Sequence, residues 1–129
     1  MAHGKFGTAI NCMDGRVQLP VINWVKGQFH VDYVDMITEP GPDKALVAGQ
    51  REQLESIRTR ALISVKAHGS SIIVVAGHYD CAGNPVEPEQ HQSQLRDAIR
   101  VVRSWDLPLD KVVALWIGKD WSVEVVASE

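Results

Sequence analysis

Four short, continuous apolar runs rich in β-branched residues punctuate the chain: GTAIN at 7–11, YVDMIT at 33–38, SIIVVAG at 71–77 and KVVALWIG at 111–118. Helical apolar spacing fills the intervals between them. The third and fourth runs do not alternate apolar with polar, so each must be covered on both faces, which is the state of a strand inside a parallel sheet. Residues Gln18–Phe29 place Leu19, Ile22, Val25 and Phe29 near one helical face, with Pro20 tolerated in the first turn. Residues 43–69 read as one long helix with Val47, Leu54, Ile57, Ala61, Leu62 and Val65 as its apolar stripe, Asp43 as its N-cap and Gly69 as its end. A third helix over 89–105 buries Leu95, Ala98, Ile99 and Val102, and Pro108 stops any continuation.

Strand–helix alternation of this kind predicts a three-layer α-β-α fold: a mainly parallel four-stranded sheet joined by right-handed crossovers. Gly118-Lys119-Asp120 is too short for a crossover. The last run, SVEVV, is therefore expected as an antiparallel edge strand. With 129 residues and neither a linker nor a repeat, residues 1–129 read as a single domain. A strand order of 2-1-3-4 would make the first and third strands neighbours whose crossovers depart in opposite directions. Ligands of such sheets bind beyond the carboxyl ends of the strands at that point.

Both cysteines of the chain fall there. Cys12-x-Asp14-x-Arg16 follows the first strand, and His78-x-x-Cys81 follows the third. Taken singly, a free cysteine is often a small buried hydrophobe. Two cysteines joined by a histidine at this spacing form a Cys₂His ligand set for zinc, whose thiolate and imidazole donors disfavour magnesium and calcium. Three protein ligands with one position open is the catalytic pattern, in which zinc lowers the pKa of water to about 7. Asp14 can reach that water or the metal, and Arg16 can fix its carboxylate by a bidentate pair. A thiol redox role for Cys12 and Cys81 is the competing reading. It lacks a C-x-x-C motif and leaves the histidine unexplained.

The remaining features have plainer readings. A net charge of −3 gives no footprint for nucleic acid or an anionic membrane. No apolar run is long enough to span a bilayer, and the opening MAHGKFGTAINC has no secretory leader, so a cytoplasmic chain with reduced thiols is expected. His68 reads as a helix C-terminal charge, and His30 and His91 as solvated, a proton shuttle being a second reading of either that rests on residue type alone. The polar segment NPVEPEQHQSQ reads as a surface loop entering a helix, and Tyr79 and Asp80, between two ligands, as lining the pocket or only shaping the turn. Trp24, Trp105, Trp116 and Trp121 read as core or interface. Glu39-Pro40-Gly41-Pro42-Asp43 reads as a loop into a helix N-terminus and not as a P-loop.

The two motifs, in this order and after these strands, resemble the β-class carbonic anhydrases. The resemblance runs over residues 6–83 and again over the closing strand-hairpin-strand, 111–126. It implies one zinc per chain held by Cys12, His78 and Cys81, an Asp14–Arg16 catalytic dyad, and substrate contacts at Ala82 and Gly83. The implied reaction is reversible hydration of CO₂ to bicarbonate by hydroxide held on zinc. Hydrolysis of carbonyl sulfide or carbon disulfide is a variant of the same attack, and a non-catalytic zinc-stapled binding or regulatory subunit is the alternative. A homodimer or higher homo-oligomer is implied as well. The sequence departs from the family at Glu39-Pro40-Gly41, where an Asn-Ala-Gly-like turn is usual, and at Ala82-Gly83, where Gly-Gly is usual.

Overall fold

The computed structural model describes residues 3–129. The first two residues of the opening stretch, and the leader reading that includes them, lie outside the described residues. The elements run β1 (Phe6–Asn11), α1 (Gln18–Phe29), β2 (Tyr33–Thr38), α2 (Pro42–Ala48), α3 (Arg51–His68), β3 (Ile72–His78), α4 (Pro88–Arg103), β4 (Lys111–Ile117) and β5 (Val123–Ser128). The sheet order is β2-β1-β3-β4-β5, with β1, β2, β3 and β4 parallel and β5 antiparallel to β4. The expected 2-1-3-4 arrangement with an antiparallel edge is the arrangement found.

Every residue of β3 is buried, as its unbroken apolar run requires. Its alternate side chains serve two cores. Ile73 and Val75 pack with Ile10, Ile57, Ala61, Leu95 and Ile99 on the face covered by α2, α3 and α4. Val74 and Ala76 pack with Ala9, Val21, Val25 and Leu115 on the face covered by α1. Each such fully buried aliphatic side chain contributes about 1.5–3 kcal/mol of hydrophobic free energy.

Four expectations need correction. The helix read over 43–69 is two helices, because Gly49 and Gln50 both adopt extended ψ angles, 167° and 156°. Asp43 is not an N-cap: Gly41 occupies that position, and Asp43 lies within the first turn of α2 with its side chain fully buried. Leu19 is 68% exposed, and Val21 and Val25 carry the buried face of α1 instead. The segment read as a polar surface loop buries both Asn84 and His91. His68 does sit in the last turn of α3, yet its Nδ1 also lies 2.6 Å from Asp35 and its ring stacks on Phe6.

The loops after β2 and β3 touch through bare backbone. Gly41 has a φ of +57°, and a Cβ there would lie 2.7 Å from the Gly83 carbonyl oxygen. Gly41→Ala therefore incurs both a left-handed strain and a steric clash. It should cost about 2–4 kcal/mol of stability, read as a lowered urea midpoint at unchanged m-value.

Candidate metal centre

β1 and β3 are hydrogen-bonded neighbours, so the loops that leave their carboxyl ends meet. Cys12 lies immediately after β1, His78 ends β3, and Cys81 follows the Tyr79-Asp80 turn, in which Asp80 has a φ of +58°. All three side chains are buried. Their candidate donor atoms lie within 4.8 Å of one another, the only such group among the described residues.

The atoms bear the marks of a cation site. His78 Nδ1 lies 2.7 Å from the Tyr79 carbonyl, which fixes the proton on Nδ1 and leaves Nε2 as an acceptor. That Nε2 is buried without any hydrogen-bond partner. An orphaned buried acceptor is costly unless something electropositive faces it. Burial also pushes the His78 imidazolium pKa down, which keeps the ring neutral and able to ligate. The Cys12 and Cys81 sulfurs are 3.9 Å apart, far beyond a disulfide bond. The spacing is close to the roughly 3.8 Å that two thiolates about 2.3 Å from one tetrahedral zinc would have. Burial and the neighbouring Cys12 raise the Cys81 thiol to about 11, while the Gly83 and Asn84 amides donate to its sulfur and favour the thiolate. A divalent cation would reverse the first effect and add to the second.

Asp14 and Arg16 flank this pocket. Arg16 donates through Nε and Nη2 to the Asp14 carboxylate, at 3.1 and 2.7 Å, and its backbone amide donates to Asp14 Oδ1 at 2.9 Å. These bonds hold the Asp14 pKa at about 2. Arg16 reaches further, to the Asp80 carboxylate at 3.3 Å and the Asp80 carbonyl at 3.2 Å. Its guanidinium lies 4.7 Å from the ring centroid of Trp121. Asp14 is therefore turned toward Arg16 and lies outside the three-residue donor group. Gln18, at the start of α1, braces the loop by donating to the Cys12 and Asp14 carbonyls at 2.8 Å each.

The structure thus brings Cys12, His78 and Cys81 together and places Asp14 and Arg16 beside them. Ala82 is exposed at the rim. Gly83 packs against Pro40 and Gly41, its amide directed at Cys81. Two features escaped the sequence reading. Trp121, assigned to core or interface, reaches the site from the β4–β5 hairpin with a φ of +65° and lies 6.4 Å from the His78 ring. Behind the site is a buried polar group of Asp43, Asn84 and His91, with Gln94 bonded to Asn84. These residues share no spacing or motif, and Asn84, His91 and Gln94 lie in a polar segment whose neighbours are largely exposed, so the sequence carried no signal for the group.

The Asp14 shift carries a sign. A carboxylate whose pKa is depressed on folding contributes stability that is present above its unfolded value and lost as pH falls through the folded one. Here that window runs from the ordinary 3.8 down to about 2. Arg16→Ala should return the Asp14 carboxyl toward its ordinary value, narrowing this window from its lower end and shrinking the acid-dependent loss. Carboxyl-resolved NMR titration of the two proteins would show it.

A family model described as "Putative carbonic anhydrase" matches residues 2–127. Among solved structures, the β-carbonic anhydrase isoform I of the protozoan Trichomonas vaginalis superposes with a TM-score of 0.60 at 17% identity, over 92% of this chain and 81% of that one. The carbonic anhydrase of Streptococcus mutans gives 0.62 at 18% identity, over 98% and 87%. One of two tetrameric β-carbonic anhydrases of the ascomycete Sordaria macrospora gives 0.61 at 11% identity, over 97% and 82%. At these identities the likenesses establish the fold. No curated protein matches by sequence.

Proposed function

We propose that this chain, which belongs to the carbonic anhydrase family whose model spans residues 2–127, holds one zinc ion through Cys12, His78 and Cys81 and reversibly hydrates CO₂ to bicarbonate and a proton. The observation that carries the proposal is the buried, unpartnered Nε2 of His78 facing two thiols at ligand spacing. When bound, zinc supplies the Lewis acidity that makes hydroxide available near neutral pH.

The chain's own residues do the rest. The Tyr79 carbonyl locks the His78 tautomer, so the ring presents Nε2 as a lone pair. The Gly83 and Asn84 amides favour the Cys81 thiolate. Asp14 stays ionised throughout the working pH range because Arg16 saturates one side of it. Its role is to accept a hydrogen bond from the attacking water, which aims the oxygen lone pair at the substrate carbon. Arg16, tied also to Asp80 and Trp121, keeps that carboxylate in place. The exposed Ala82 and its neighbour Gly83 border the substrate side. Carbonyl sulfide, attacked at the same carbon, is the nearest alternative substrate.

The reading takes residues 1–129 as one catalytic domain acting in the cytoplasm as a homodimer or higher homo-oligomer. Among the described residues no helix is long and apolar enough to cross a membrane, and one structural relative is tetrameric.

Stopped-flow CO₂ hydration on zinc-saturated protein, from neutral to alkaline pH, tests the reaction directly. Cys12→Ser and Cys81→Ser should each lose both zinc, by elemental analysis, and activity. The loss should exceed the roughly 10–100-fold that removal of a supporting hydrogen bond costs a metal site. Asp14→Ala should keep its zinc while turning over about 10–100-fold more slowly. Zinc-saturated wild-type protein with no hydration of CO₂ or carbonyl sulfide at any pH would overturn the proposal.

A further inference from the structure

A bulky aromatic residue stands where the β4–β5 hairpin calls for glycine. The Gly118 amide donates to the Ser122 carbonyl at 3.1 Å, and the Trp121 amide donates back to the Gly118 carbonyl at 2.9 Å. Lys119, Asp120 and Trp121 therefore form a three-residue hairpin loop, whose last position takes the left-handed conformation. Trp121 holds it with a φ of +65°. Glycine adopts that conformation without steric cost, whereas a large side chain there is strained. Asp120 secures the turn by accepting from the Ser122 amide at 3.1 Å and the Ser122 hydroxyl at 2.6 Å. The indole that the strained residue delivers is half-buried against the core on the α1 face. Its ring lies 6.4 Å from the His78 ring and 4.7 Å from the Arg16 guanidinium carbon.

Arg16 lacks a firm hold from its ion pairs alone. Its in-plane donors are engaged: Nε and Nη2 with the Asp14 carboxylate, Nη2 also with the Asp80 carbonyl, and Nη1 with the Asp80 carboxylate. Yet the Arg16 side chain is 47% exposed and that of Asp80 70%. Ion pairs so open to solvent are weak and do little to keep a long side chain in one geometry. These bonds leave the flat faces of the guanidinium free, and the Trp121 ring covers one of them. We infer that Trp121 is a positioning residue, holding Arg16 by cation–π contact and, through Arg16, the Asp14 carboxylate at the site. The inference rests on the function proposed above. Asp14 and Arg16 belong to the loop after β1, Asp80 to the loop after β3 and Trp121 to the hairpin after β4. One guanidinium thus ties together the loops at the carboxyl ends of three strands. The left-handed backbone at Trp121 is the strain that this delivery requires.

The test compares Trp121→Leu with Trp121→Phe. Both retain an apolar side chain at the strained position, and only Phe retains an aromatic face. The first readout is the Arg16 Nε–Hε NMR signal in zinc-free and zinc-loaded protein, assigned by its loss in Arg16→Ala. Exchange of Arg16 Hε with water should quicken about 3–10-fold in Trp121→Leu and stay within about twofold of wild type in Trp121→Phe. The second readout is stopped-flow CO₂ hydration with zinc content checked by elemental analysis. Trp121→Leu should keep its zinc and lose about 3–10-fold in kcat/KM, and Trp121→Phe should restore most of that loss. Combined with Arg16→Ala, Trp121→Leu should slow the reaction no further, because the ring acts through the guanidinium. Arg16 exchange unchanged in Trp121→Leu would overturn the inference and leave the hydration reading standing. So would a lowered urea midpoint and zinc content in both variants without Phe rescue, the mark of a packing role, or additive losses in the double variant. Wild-type protein that holds zinc and is inert would overturn the hydration reading and the role in catalysis drawn from it, whatever the Arg16 signal shows.

Discussion

The parallel pairing of β1 with β3 is the constraint on which the site depends. Thr8, Ala9 and Ile10 lie opposite Ile73, Val74 and Val75, so the two strands end side by side. Their crossovers then leave in opposite directions, and side chains far apart in sequence face each other across a narrow cleft. Cys12 and Cys81 meet at 3.9 Å because of that register. A slip of one residue would turn the strand's alternate side chains to the opposite core and separate the donors. The two hydrophobic cores that hold β1 and β3 in register also hold the donor geometry.

Electrostatic effects oppose one another at the cleft, and burial decides which prevail. Desolvation favours the neutral imidazole of His78 and the neutral thiol of Cys81. Neutral imidazole is what a metal needs, whereas the neutral thiol is not, so the second thiol can ionise readily only against a cation. Asp14, at the edge of the same cleft, is held ionised by Arg16 at two side-chain nitrogens and one backbone nitrogen. Three groups within one short loop and its neighbour thus reach different protonation states through environment alone.

The strands and the donor spacing were legible in the sequence for a shared reason, since both depend on local patterns, whereas the order 2-1-3-4 was an assumption that the pairing of β1 with β3 bears out. Unbroken β-branched runs mark buried parallel strands, and Cys-x-Asp-x-Arg and His-x-x-Cys have fixed short spacings. The break between α2 and α3 was hidden because Val47 and Leu54 keep helical phase across it, while Gly49 and Gln50 change only their backbone. The burial of Asp43 and His91 was hidden because polarity predicts solvent unless a partner is known, and their partners lie 48 positions apart. Trp121 was placed in the core or an interface because only the hairpin geometry brings its ring over Arg16.

The bare backbone contact between Gly41 and Gly83 also limits how this scaffold can diversify. With no side chain between them, the loop after β2 and the loop after β3 have no cushion in which one could lengthen while the other stays. Inserted residues in either would be transmitted to Cys81 on one side and to the start of α2 on the other. Lineages built on this arrangement would change those two loops together.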